Sequence, residues 1–121
     1  MSVTFEPDGI AVVSLTGEHD LSSSERVREA LRGTVEAPAT VVDLTRTEFV
    51  DSSVLGVFVE AFRAAQSAGQ PFSLAVGPDP QAAVRRVLEL TGITTVVAAH
   101  DSPEAAVEAS RDPALRAVDD G

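Results

Sequence analysis

"VVDLTRTEFVDSSVLGVFVEAF", residues 41–62, changes its hydrophobic period half-way along. Its first residues, with Ala39 and Thr40 before them, are apolar and β-branched. Residues 39–44 therefore read as a buried-type strand. Thr47 to Val50 read as the end of an extended segment. Leu55, Phe58, Val59 and Phe62 then fall at i, i+3, i+4 and i+7, which predicts a helix over 53–68, closed by Gly69. Asp51, Ser52 and Ser53 stand at the junction, where a helix start wants a side-chain acceptor for its free N–H groups.

The same alternation continues on both sides. Upstream, Val3–Phe5, a turn at Pro7-Asp8-Gly9 and the strand Ile10–Leu15 make a hairpin, with Thr16-Gly17 ending the second strand. A helix over 22–35 follows, capped by Asp20 or Ser22, with Val27, Ala30 and Leu31 on one face and Pro38 as its breaker. Downstream, Phe72–Val76 is a strand and Gly77-Pro78-Asp79-Pro80 a turn. Val84, Val87 and Leu88 then recur at helical spacing up to Gly92, and Thr94–Ala98 is a last strand. Ser102 caps a final helix whose first residue is Pro103. Strands alternating with helices predict one α/β domain with a mostly parallel sheet.

Composition narrows the function classes. The chain has 121 residues, 44% of them apolar, and a net charge of −10, which fits one soluble domain with a single core. Such acidity opposes nucleic acid or an anionic membrane as partner, because both demand Lys/Arg patches. With no cysteine there is no disulfide and no thiolate ligand or nucleophile. No apolar run approaches the roughly 20 residues that span a bilayer and no signal segment opens the chain, so a cytoplasmic protein is expected.

Catalytic readings fare poorly. His19, Asp20 and Ser52 are the residue types of a nucleophilic triad. Yet Asp51-Ser52-Ser53-Val54 is not a Gly-x-Ser-x-Gly elbow, and adjacent His19 and Asp20 cannot easily converge on one point. His19 reads instead as an exposed turn residue. Asp20 reads as a second acid near the Asp51 loop, provided that both loops reach the same sheet edge. His19 and His100 are isolated, no metal-ligand spacing appears, and "GPDPQ" is too poor in glycine to cradle phosphate. Arg85-Arg86 reads as solvated surface. No enzyme activity, cofactor or metal is expected. The plainest reading of Asp51-Ser52-Ser53 is a helix cap alone, but two serines after an acid exceed what a cap needs, and a helix N-terminus accommodates a phosphoryl group.

Three segments in order, "VVSLTGEHDLSSS", the opening stretch and "PDPQAAVRRVLELTGITTVV", resemble the STAS domain, and more narrowly bacterial anti-sigma factor antagonists. The resemblance spans about residues 3–110. It implies a single STAS-like domain over 1–111 with 112–121 as a C-terminal tail, built on a four- to five-stranded mixed sheet covered by about four helices, lying on one side. It also implies that Ser52 is a phosphoacceptor, flanked by Asp51, Ser53, Val54 and Leu55, with Gly17, Glu18 and Asp20 in the turn beside it. The partner implied is an anti-sigma factor that is also an ATP-dependent serine kinase. It is bound by the unphosphorylated form, which releases a sigma factor, and a serine phosphatase restores binding after phosphorylation. An alternative within the resemblance is a STAS subunit that regulates a membrane transporter of the lipid-transport ABC type without a phospho-switch. One departure stands out: Val54 occupies the place of the family's usual glycine. Physically, a phosphoserine adds about −1.5 to −2 charges, here beside Asp51, Glu48, Glu18 and Asp20.

Overall fold

The computed structural model describes residues 1–79 and 82–111. The expected tail, and Pro80 of the expected turn, lie outside them. In chain order the elements are β1 (Ser2–Phe5), β2 (Ala11–His19), α1 (Leu21–Arg32), β3 (Thr40–Val50), α2 (Ser52–Ser67), β4 (Phe72–Ala75), α3 (Ala83–Thr91), a 3-10 turn (Ile93–Thr95), β5 (Ala98–His100) and α4 (Pro103–Arg111). The sheet order is β1-β2-β3-β4-β5, with β1 antiparallel to β2 and every later pair parallel. The mostly parallel α/β sheet expected from the alternation forms, and with its antiparallel β1 it is the five-stranded mixed sheet that the resemblance implies.

Local chemistry explains the joints. The Gly9 N–H donates to Glu6 O at 2.8 Å and the Glu6 N–H to Ile10 O at 2.9 Å, closing the β1–β2 turn. Gly9 has a φ of 91°, in the left-handed region, and a Cβ there would sit 3.3 Å from Pro38 Cδ. Ser102 Oγ accepts from the Ala105 N–H at 3.0 Å, so the last helix is capped as expected. Gly92, with φ 76°, stops α3.

Parallel strands that advance one place at a time, joined by right-handed crossovers, put every crossover helix on one face. Val27 and Leu31 of α1, Val54 and Phe58 of α2, and Val84 and Leu88 of α3 share one core cluster with Val13, Val42 and Leu74 of the strands. The expectation of helices on one side fails at α4. Its Ala106 and Val107 pack with Ile10, Ala39, Val41 and Ala75 in a second cluster. Val41 and Val42 are successive in β3 and point to opposite faces, so α4 covers the back of the sheet.

Two strands differ in extent from their sequence reading. β2 does not end at Thr16-Gly17 but continues to His19, and β3 runs on to Val50. In the pairing Ser14↔Asp43, Thr16↔Arg46, Gly17↔Thr47, Glu18↔Phe49, β3 inserts an extra residue at two places, and Gly17 at φ 77° keeps the ladder going. Thr47 Oγ1 holds this region by donating to Leu15 O at 2.9 Å. The last strand is displaced: Ile93–Thr95 is a 3-10 turn, and the paired residues are Ala98–His100. The β-branched run 93–97 invited a strand, but Gly92 in the left-handed conformation turns the chain there.

Candidate functional site

The long β2 and β3 deliver two helix starts to the same sheet edge. At α2 the N-cap is Asp51, with extended backbone. One carboxylate oxygen, Oδ1, accepts from the Ser53 N–H (3.0 Å), the Val54 N–H (3.2 Å) and the Ser53 hydroxyl (2.5 Å). Of the three junction residues it is Asp51 that caps, and Ser53 donates to it rather than capping the helix itself. An ionised carboxylate accepts more strongly than a hydroxyl and takes both backbone donors. The other oxygen, Oδ2, reaches across to the Leu21 N–H at 3.1 Å, the first residue of α1. A single side chain thus satisfies donors at two helix N-termini.

α1 repeats the pattern. Asp20 accepts from the Ser22 N–H at 2.9 Å and the Ser22 hydroxyl at 2.5 Å, while the Asp20 N–H donates to Ser23 Oγ at 3.2 Å. Asp20 thus stands beside the Asp51 loop, as the condition on the two loops required. The Ser53 hydroxyl, then the Val54, Ser53 and Leu21 N–H groups, hold the Asp51 carboxyl below its usual value of 3.8. Asp20 is lowered likewise, chiefly by the Ser22 hydroxyl and N–H, with the Asp51 charge pulling the other way. Asp20 is exposed and Asp51 half-buried, and both are charged at neutral pH.

Ser52 stands apart from this bonding. It is exposed as the first residue of α2, and within the described residues no side chain or backbone group bonds its hydroxyl. Glu18 and Glu48 are exposed on the adjoining strands and Gly17 is half-buried. Val54 and Leu55 turn inward, at 0% and 7% exposed, and pack in the main core. Val54 therefore adds no bulk over Ser52.

His19 is not an exposed turn residue. It is 8% exposed, with Nδ1 3.1 Å from Ser23 Oγ and Nε2 donating to Thr16 O at 3.0 Å. The continued β2 strand buries it and ties it to the base of α1, where neither ring nitrogen faces Ser52's hydroxyl as a base. Arg85 also departs from a solvated reading: one guanidinium nitrogen bonds Gly77 O and Asp101, joining the loops after β4 and β5. Arg86 is exposed. Among the described residues no group of three His, Asp or Glu could hold a metal, and no helix is long and apolar enough to cross a membrane.

Sequence reasoning missed a groove beside Ser52. It holds about 450 Å³ between α2 and the 3-10 turn, lined among others by Ser52, Leu55, Gly56, Val59, Val96 and Val97. The one signal that pointed there was a glycine inside an apolar helix.

A family model described as "Mlab, STAS domain" matches residues 3–98. The chain is similar to the crystal structure of an anti-sigma factor antagonist from Mycobacterium paratuberculosis, at 27% identity and TM-score 0.75, covering 92% of this chain and 94% of that one. The Bacillus cell fate determinant SpoIIAA in its phosphorylated form has the same fold at 20% identity and TM-score 0.68, covering 91% and 98%. So does a sulfate transporter family protein from Wolinella succinogenes, at 14% identity and TM-score 0.73, covering 89% of each chain.

Proposed function

The chain belongs to the STAS domain family, and from that premise we propose that it is an anti-sigma factor antagonist switched at Ser52. In its unphosphorylated form it binds an anti-sigma factor that is also a serine kinase, and a sigma factor is released. The kinase phosphorylates Ser52, binding is lost, and a serine phosphatase restores it. The protein is then a ligand and a substrate, not a catalyst, and works in the cytoplasm.

One observation carries this reading: Asp51 and Ser53 are fully used in the cap, yet an additional serine with an unbonded hydroxyl is displayed at the same helix start. A cap alone does not call for Ser52. The Mycobacterium paratuberculosis likeness and the phosphorylated state of SpoIIAA support the same reading. Mechanistically, the N-terminus of α2 tolerates a phosphate through its partial positive charge, although Asp51 already takes the Ser53 and Val54 N–H groups. A partner surface fitted to a neutral hydroxyl does not, since it meets a dianion beside Asp51 and Asp20. A tenfold loss of affinity takes about 1.4 kcal/mol, so no refolding of the antagonist is needed.

The test is a titration of purified protein with the host's serine-kinase-type anti-sigma factors, followed by kinase assay. Ser52→Asp is expected to weaken binding by at least about tenfold while Tm stays within about 1 °C. Phosphate incorporation should vanish in Ser52→Ala. Unchanged affinity in Ser52→Asp, with both forms retained by a membrane transporter instead, would favour the transporter-subunit reading.

A further inference from the structure

A second opening lies between the last turns of α1 and the later half of α2, and holds about 190 Å³. Native interiors are close-packed and a void of this size costs stability, so its presence calls for a reason. Ala61, Ala64 and Ala65, at i, i+3 and i+4 on one face of α2, leave the space unfilled. Leu31 of α1 and Phe72 of β4, 5% and 7% exposed, close it further in. Ala61 lies about 14 Å along the helix axis from Ser52, so this opening is separate from the site described above.

Its polar groups differ in how firmly they are held. Inside, the Thr40 hydroxyl donates to Thr34 Oγ1 at 3.1 Å, and the Thr34 hydroxyl to Leu31 O at 2.8 Å. At the mouth, Arg28 is committed to Glu25 and Glu60. Arg32, whose side chain is 68% exposed, reaches only Glu60 Oε1, at 3.5 Å, and has no other ion pair or side-chain hydrogen bond among the described residues. An exposed pair at that distance holds weakly. Arg32 is therefore free to take another carboxylate, and a guanidinium takes one through two parallel bonds. Glu60 keeps its 3.0 Å bond to Arg28 when Arg32 leaves it.

We propose that this opening binds a medium-chain monocarboxylate, its alkyl chain between α1 and α2 and its carboxylate on Arg32. Size sets the class. A cavity of about 150 Å³ takes a benzene ring, so this one takes a chain of about six to eight carbons. Nucleotides and other drug-sized ligands occupy pockets of about 300–1,000 Å³ and do not fit. Chemistry sets the orientation, since alanine, leucine and phenylalanine walls suit an alkyl chain and the loosely paired cation stands at the mouth. The site does not depend on the switch proposed at Ser52.

The experiment titrates octanoate, hexanoate and octanol, each below the concentration at which it self-associates, into wild type, Ala61→Leu and Arg32→Gln. Backbone amide shifts are followed by NMR and Tm is measured in parallel. In wild type, octanoate is expected to shift amides around Ala61, Ala65 and Phe72, to leave that of Ser52 in place, and to raise Tm by about 2 °C or more. Hexanoate, two methylene groups shorter, should bind roughly tenfold more weakly. Ala61→Leu fills the space and should abolish binding with Tm equal or higher. Arg32→Gln should weaken octanoate about tenfold and leave octanol as it was. No saturable shift in wild type, or octanoate binding that survives Ala61→Leu, overturns the site. A lowered Tm in Ala61→Leu would show that the space is already full, and the proposal falls with it. If octanol binds as tightly as octanoate and Arg32→Gln changes neither, the carboxylate assignment is overturned.

Discussion

At the scale of single residues, Asp51 does the most structural work. Its two oxygens serve different helices, Oδ1 closing the first turn of α2 and Oδ2 holding the Leu21 N–H at the start of α1. Replacing an N-cap aspartate by alanine generally costs a helix about 1 kcal/mol, whereas the Leu21 N–H left without it is open to water and adds little. Asp51→Ala should therefore lower stability in urea denaturation through the α2 cap, and Asp51→Asn distinctly less. Equal losses in the two variants would show that charge, not capping geometry, is what matters. The α2 cap was legible in the sequence because a cap is decided within four residues. The bond to Leu21 was not, since it spans 30 positions and depends on two loops meeting. His19 was misread for a related reason. A residue between glycine and a helix cap resembles a turn, and only the ladder of β2 with β3 past Gly17 places its ring inside.

Among the elements, β3 and α4 behave differently from the rest. β3 outruns its apolar core segment because Thr45–Phe49 stays paired with β2 through two insertions, which carry the chain out to Asp51. Such bulges leave little trace in the hydrophobic pattern, because the inserted residues break the alternation that marks a strand. For α1, α2 and α3, helical spacing and the crossover rule together determine the face they cover. α4 follows β5 and, among the described residues, leads to no further strand, so the crossover rule does not place it. Its Ala106 and Val107 show an apolar stripe without saying which side of the sheet receives it. The structure seats them over Val41 and Ala75. Val107→Ala is then expected to cost roughly 1–3 kcal/mol by equilibrium denaturation. A change below about 0.5 kcal/mol, the usual size for surface positions, would mean that α4 does not close the back of the sheet.

For the whole molecule, charge is the governing quantity, and it acts with opposite signs in different places. A net charge of −10 on 121 residues repels itself. Acidification relieves that repulsion, yet it also removes the carboxylates that organise the fold. Asp51 and Asp20 are lowered mainly by the Ser53 and Ser22 hydroxyls that donate to them, and Asp8 by its hydrogen bond from Arg111, which ties α4 to the β1–β2 turn. A folded-state value below the unfolded one means that the unfolded chain binds protons first. The stabilisation is complete above the ordinary value of 3.8 and disappears as pH falls below it, through the folded-state values. Wild type is therefore expected to hold constant stability from about pH 7 to about pH 5 and to lose it steeply below about pH 4. The double variant Asp20→Asn/Asp51→Asn keeps cap acceptors that do not titrate. Its denaturation free energy should start lower at neutral pH and fall less on acidification, so that the two curves converge. Parallel curves would locate the acid sensitivity elsewhere, in the Asp8–Arg111 tie or in the remaining carboxylates, and would leave the shared cap with no part in it.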